Sequence, residues 1–207
     1  LGLAVATFIE KYQGTAVAKA VVYYSPLFFI LQLLLVINFI VVIVKHKYFI
    51  RGKLGLVLAH FALIFILLGA LTTHLLGKEG ILHLREGETS NQIAIQTGDQ
   101  TTIQTLPFSI ELKKCTLTRY PGSASPSSFE SEVIVHVDGE KREERIFMNN
   151  VLDVKGYRFF QASYDQDEQG TILSVNSDVV GRNITYFGYF ILMLGFIFSL
   201  LGKDSRF

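Results

Sequence analysis

Long apolar runs alternate with polar segments along this chain, and three runs have the length of a membrane-spanning helix. They cover residues 25–44, 54–77 and 184–201, and the second and third contain no Asp, Glu, Lys or Arg. In the first run the strongly polar interior residues are Gln32 and Asn38. Because a helix rises about 1.5 Å per residue, roughly 20 residues cross the ~30 Å hydrocarbon core. The pattern therefore predicts three membrane spans.

The first residues of the chain form a shorter apolar stretch. Residues 1–9 are apolar and are followed by Glu10 and Lys11. Nine residues are too few to cross a bilayer. We interpret them as the end of a truncated first span, with an outer loop over residues 10–24. A clipped signal peptide is the alternative.

Beyond Gly77 the apolar period changes to that of β-strands. Apolar and polar residues alternate over 108–113 and 132–137, and Asp138-Gly139 follows as a hairpin signal. Residues 157–164 and 172–175 predict two more strands, while the chain breakers are Gly98, Pro121-Gly122, Ser125-Pro126 and Gly170. The fold class predicted is thus membrane α-helical spans plus an all-β domain over residues 78–183, built as an antiparallel sandwich or an open barrel.

The charge distribution orients the chain in the membrane. Residues 45–53 carry four cations and no acid, so the positive-inside rule predicts a cytoplasmic basic loop. After three crossings the tail at 202–207 is also cytoplasmic, and the β domain is extracytoplasmic. Residues 78–183 hold sixteen acids and eleven bases, a net charge of −5. The whole chain has a net charge of +1, which gives no indication of nucleic-acid binding.

His60 is the main candidate for chemistry because polar groups at membrane depth are costly and often functional. It lies about 9 Å into the third span and has bulky apolar neighbours. Neutral imidazole is a good iron ligand, and haem partitions into apolar surroundings. The alternative is a histidine that bonds to a carbonyl of a neighbouring helix. His74 lies about 21 Å further along the helix, so the two cannot share one iron.

The remaining candidates are interpreted as structural. Cys115 has no second cysteine to pair with, and we expect a small buried residue in a strand. His83 and His136 lack metal-ligand spacing, and His46 belongs to the basic loop. Acids at positions 165, 167 and 168 predict a solvated turn rather than a calcium loop. No hydrolase, zinc-protease, P-loop or dinucleotide-binding motif occurs in the sequence.

Several segments together resemble the ResB (CcsB) family, the membrane subunit of system II cytochrome c maturation. The resemblance covers essentially the whole chain in the same order, and GYRFFQASYD and PGSASPSSFES are its specific parts. The other segments are ATFIEKYQGT, VVYYSPLFFILQLLLVINFI, AHFALIFILLGALTTHL, LPFSIELKKCTLTRY, NNVLDVK and SVNSDVVGRNITYFGYFILMLG.

The resemblance implies a haem-handling subunit in the bacterial cytoplasmic membrane that is not a catalyst by itself. Its cargo would be haem b, with His60 as an axial ligand of the iron. Its partners would be a Trp-rich membrane protein of the CcsA/CcsC type, separate or fused downstream, and apocytochrome c. The chain contains no Trp, so it does not carry that partner's Trp-rich loop. Val179 follows Asp178 where the family often has Pro.

Two other functions stay open from the residues alone. One is a membrane-anchored scaffold whose β domain docks a protein and whose His60 is structural. The other is a b-type haem electron-transfer subunit, suggested by the spacing of His60 and His74.

Overall fold

The computed structural model describes residues 2–50, 52–97 and 100–202. Gly98 and the tail from Lys203 onward, both part of the sequence predictions, lie outside the described residues. The chain forms two compact units, residues 1–72 with 180–207 and residues 73–179.

The helical elements begin at the start of the chain. They are α1 (Gly2–Gln13), α2 (Thr15–Ala18), a π-helical turn (Lys19–Tyr23), α3 (Pro26–Lys45), α4 (Leu54–Leu76) and α5 (Val179–Leu201). The segment predicted as an outer loop is therefore helical over much of its length, and its placement outside the membrane stays a prediction. Within the described residues, α3, α4 and α5 are the helices long and apolar enough to cross a membrane.

The start of α3 follows from its first residues. Ser25 has extended backbone angles, and its hydroxyl accepts a hydrogen bond from the backbone N–H of Phe28 at 3.2 Å. Pro26 occupies the first helical position, where the missing N–H costs nothing. This cap satisfies a donor that the helix itself leaves unpaired.

Helices α4 and α5 meet through small residues repeated every seven positions. The buried members are Gly55, Ala62 and Gly69 on α4, and Gly181, Gly188 and Gly195 on α5. A Cβ atom on Gly195 would lie 2.8 Å from the backbone N of Ala59, and one on Gly55 would lie 2.5 Å from that of Ser199. The two backbones are thus in direct contact, in antiparallel order.

The second unit contains an antiparallel sheet of eight described strands. They are β1 (Lys78–Arg85), β2 (Thr89–Thr97), β3 (Gln100–Arg119), β4 (Pro126–Val137), β5 (Glu140–Phe147), β6 (Leu152–Val154), β7 (Tyr157–Tyr164) and β8 (Gly170–Ser177). Their order in the sheet is β5-β4-β3-β2-β1-β8-β7-β6. The sheet curls into a nearly closed barrel, which confirms the predicted fold class.

A single apolar core fills the barrel, and its members come from every strand. Inward and outward positions alternate along β1, where Leu82 and Leu84 are buried and His83 is exposed. The other fully or nearly buried core residues are Ile93, Leu106, Phe108, Ile110, Leu112, Cys115, Val133, Val135, Ile146, Leu152, Val154, Phe159, Leu173 and Val175. The predicted alternation over 108–113 and 132–137 is confirmed.

Two predicted glycine positions lie where the chain passes from one strand to the next. Asp138 and Gly139 have φ angles of 54° and 82° and join β4 to β5 as the predicted two-residue hairpin. Gly170, predicted as a chain breaker, follows the turn between β7 and β8 and is the buried first residue of β8. A Cβ there would overlap the carboxylate of Asp165 and lie 3.2 Å from the backbone oxygen of Leu84, so a side chain at this position would require Asp165 to move.

Candidate functional site

His60 lies on α4 and is half-buried. Its Nδ1 is 2.7 Å from the backbone carbonyl oxygen of Leu56, one turn earlier on the same helix. A carbonyl only accepts hydrogen bonds, so Nδ1 carries the proton and the Nε2 lone pair faces away from the helix. Within the described residues Nε2 has no hydrogen-bond partner. The neutral tautomer that binds metals through Nε2 is therefore the one this helix selects.

Two aromatic rings fix the orientation of the His60 ring. Phe39 of α3 meets it edge to face at 5.7 Å between centroids, and Tyr48 of the basic loop lies at 5.9 Å. These contacts restrict rotation of the imidazole about its Cα–Cβ bond. The surroundings of the ring are thus apolar and aromatic, as suits a porphyrin.

The opposite face of α4 is used for packing on α5. At about 100° per residue, His60 points roughly 140–200° away from Gly55, Ala62 and Gly69. The contact with α5 therefore lies on the side of α4 opposite to the imidazole, which meets Phe39 and Tyr48 instead. The small residues position the site without touching it.

The basic loop is joined to α3 by a helix-ending motif of the Schellman type. The N–H of Tyr48 donates to the carbonyl of Ile43 at 3.3 Å, and the N–H of Lys47 donates to that of Val44 at 3.1 Å. Lys47 has a φ angle of 53°, in the left-handed region where this motif usually has glycine. A side chain there costs about 1–2 kcal/mol. The motif places Tyr48 against His60.

The other histidines are not brought into this site. His74 lies exposed on the last turn of α4. His83 Nε2 is 2.9 Å from Asp165 Oδ1, and His136 Nε2 is 3.0 Å from Glu111 Oε2. Among the described residues no three His, Cys, Asp or Glu side chains are grouped to hold a metal ion.

The acidic residues of the β7–β8 turn are paired with cations. Arg85 binds both Asp165 and Asp167, and Arg119 binds Glu168. The hydrogen bond from Arg85 lowers the pKa of Asp167 below its ordinary value. These ion pairs connect the turn to β1 and β3, so the carboxylates already have partners within the fold.

Cys115 is buried in β3, which confirms the sequence prediction. Burial raises the pKa of its thiol, and the nearby carboxylate of Glu86 raises it further. That carboxylate also accepts a hydrogen bond from the backbone N–H of Cys115 at 2.7 Å. A thiol held protonated in this way is a poor nucleophile and a poor metal ligand.

A buried polar network was not found by sequence reasoning. The Ser131 hydroxyl of β4 donates to Gln161 Oε1 at 2.7 Å and lies 2.9 Å from Thr171 Oγ1, while Gln161 Nε2 donates to Thr171 at 2.7 Å. Ser131 and Thr171 are fully buried. The network connects β4 to β7 and β8, strands that are not neighbours of β4 in the sheet. Polar residues on three separate strands leave no local pattern that could have predicted it.

Comparison with known proteins identifies the family to which the chain belongs. The model of the ResB-like family matches residues 50–178, which include α4 and every strand of the barrel. The chain belongs to the ResB-like family. It is therefore a membrane protein of a cytochrome c biogenesis family.

Protein NrfI of Wolinella succinogenes is a relative of this ResB-like chain. The two are 33% identical over an alignment that covers 100% of this chain and 34% of NrfI. The chain thus spans about a third of the length of that relative. A solved structure named cytochrome c heme lyase CcmF is similar at a TM-score of 0.43 and 15% identity, covering 72% of this chain and 25% of that one. This similarity is too distant to carry an argument.

Proposed function

We propose that this chain is a haem-handling subunit of the cytochrome c maturation machinery. Its cargo is haem b, which it moves outward across the bacterial cytoplasmic membrane and helps to present to apocytochrome c. His60 supplies one axial ligand to the iron while haem is within the membrane. The chain is the non-catalytic half of a haem lyase complex.

The observation that carries this proposal is the hydrogen bond from His60 Nδ1 to the Leu56 carbonyl. Here one nitrogen orients the ring and the other has no hydrogen-bond partner among the described residues. Metal-binding histidines have this arrangement, in which the second nitrogen donates to a carbonyl and makes the first more basic.

We infer a membrane partner from the number of ligands that this chain offers. One imidazole fills one axial position of a haem iron. His74, on the same helix, lies about 21 Å from His60 by helical rise. The second ligand therefore comes from a Trp-rich partner of the CcsA/CcsC type or from a further part of a fused polypeptide. The haem site is a shared one.

The orientation proposed for the chain places the β domain on the extracytoplasmic side. It rests on four cations and no acid at 45–53 against a net charge of −5 at 78–183. In a Cys115→Ser background, a cysteine at Lys47 should stay unlabelled by an impermeant maleimide in intact cells. A cysteine at Ala124, in the exposed β3–β4 turn, should be labelled. Labelling at Lys47 and not at Ala124 would reverse the orientation.

The haem role is tested by substituting His60 in the assembled complex. His60→Gly should remove co-purifying haem, measured as its pyridine haemochrome, without lowering protein abundance. The cavity has about the size of imidazole, so added imidazole should partly restore haem and cytochrome c maturation. His74→Gly is the matched control and should retain both. Full haem content and maturation in the His60 variant would leave the scaffold function as the better account.

A further inference from the structure

The basic loop carries two exposed lysines beside the aromatic contact to His60. Lys45 ends α3, and Lys47 follows after one residue. Within the described residues neither has an ion-pair partner. The sequence holds no Asp or Glu between Glu10 and Glu79, so no acid of this segment could neutralise them.

A stack of rings connects these lysines to His60. His46 lies between them in sequence, is exposed, and stacks on Tyr48 at 5.5 Å with an interplanar angle of 17°. Tyr48 in turn lies 5.9 Å from His60. Tyr48 is therefore the ring between the exposed loop and the imidazole of α4.

The backbone at Lys47 has a left-handed conformation that a lysine adopts at a cost. Its φ angle is 53°, and it occupies the position of the Schellman motif that glycine fills without strain. Strained residues of this kind concentrate at functional sites. Lys155 also has a positive φ, of 46°, but its ammonium group is paired with Asp138. Lys47 bears the same strain without any such partner among the described residues.

We propose that Lys45 and Lys47 form a carboxylate subsite for the haem that His60 receives. The two ammonium groups pair with the propionate carboxylates of haem, while Tyr48 offers its ring to the apolar macrocycle next to His60. The subsite rests on the proposed function, since it specifies how that same site recognises its cargo. It makes recognition depend on the anionic edge of the porphyrin as well as on its iron.

The test compares two forms of one probe. Ferric protoporphyrin IX and its dimethyl ester have the same iron and ring, but the ester has no charged carboxylate. Both are titrated into the complex of the full chain with its membrane partner, in phosphatidylcholine nanodiscs. We expect the diacid to bind about tenfold more tightly, roughly threefold for each lysine, as for exposed ion pairs. Lys47→Gly should cut this preference to about threefold while leaving the thermal unfolding temperature unchanged or higher, because glycine relieves the strain.

A matched control removes equal charge from the same loop. Arg51→Gln with Lys53→Gln should retain the preference that Lys45→Gln with Lys47→Gly abolishes. If the two double variants lost the preference for the diacid equally, the effect would be a general one of charge, and the proposed subsite would be wrong.

Failure of the subsite can be told apart from failure of the proposed function. If the wild type binds diacid and ester with equal affinity, and His60→Gly binds neither, the subsite is wrong and the haem role of His60 stands. If the wild type binds neither form, both proposals are wrong.

Discussion

The two parts of the molecule differ in whether their large apolar side chains are exposed or buried. In α3 and α5 most of them are exposed, such as Leu33 at 60% and Phe196 at 58%, and the buried positions of α5 are all glycines. In the barrel the relation is reversed, since Phe159, Leu82 and Leu173 are almost fully buried inside the sheet. The helices expose their apolar side chains to the surroundings, whereas the barrel encloses them.

The difference follows from the solvent that each part meets. In water, burial of apolar area stabilises a fold by about 25 cal/mol per Å², so the barrel is held by its side-chain core. Lipid is as apolar as leucine and gives helices no such driving force. Their association depends on close backbone contact, which the small residues of α4 and α5 permit. Substitutions should therefore destabilise the two parts by different mechanisms.

The largest effect is expected from emptying the barrel core. Phe159→Ala removes a fully buried ring and should destabilise the β domain by about 3–5 kcal/mol, measured by denaturant unfolding. Phe160→Ala is the matched control, because the neighbouring side chain lies on the outer face and is 37% exposed. A loss of similar size in both variants would contradict the account of a side-chain core.

A smaller but distinct effect is expected at the contact between α4 and α5. Gly195→Leu forces a side chain into the space where a Cβ already meets Ala59 N at 2.8 Å, which should cost about 1–3 kcal/mol. Phe196→Leu, at the adjacent exposed position, should cost little. Thermal unfolding in nanodiscs and a disulfide cross-link engineered between the helices measure the loss. An intact cross-link in Gly195→Leu would show that backbone contact is dispensable.

The smallest effect concerns the Cys115 thiol and appears only at alkaline pH. The pKa of Cys115 is raised on folding, so the stability it contributes is complete below its ordinary value of 9.0. That contribution is lost as the pH rises from 9.0 through the folded pKa. Between pH 8 and 10.5, wild type should lose more stability than Cys115→Ser, in which the titration is absent. Identical pH profiles would mean that the thiol does not titrate in this range.

Much of the fold could be predicted from the sequence because its strongest signals are local. Apolar runs gave the three membrane helices, and the strict alternation at 108–113 and 132–137 gave two strands of the barrel. Strands β2 and β5 were not predicted, because each has a single fully buried position among its described side chains, Ile93 on β2 and Ile146 on β5. One buried position does not produce an alternating pattern, so neither strand differs in sequence pattern from a polar loop.

From the sequence, the candidate site could be predicted only as a histidine at a certain depth in a membrane span. His60 could be singled out because imidazole is rare among apolar residues in a membrane helix. Its tautomer could not be predicted, since that depends on the distance from Nδ1 to the Leu56 carbonyl. The contact with Tyr48 depends on the helix-ending motif at Lys47, where the sequence lacks the usual glycine. Long-range and strained features of this kind leave no periodic signal.

The central claim, that His60 Nε2 binds the haem iron, is tested most directly by isotope-resolved electron spin-echo spectroscopy of the ferric haem. The complex is labelled with ¹⁵N-histidine, and His60→Gly is reconstituted with unlabelled imidazole. We expect one axial ¹⁵N coupling of the wild type to be replaced by a ¹⁴N coupling in the rescued variant. If the rescued variant retains the wild-type ¹⁵N couplings and no axial ¹⁴N is seen, His60 is not a ligand and the claim is wrong.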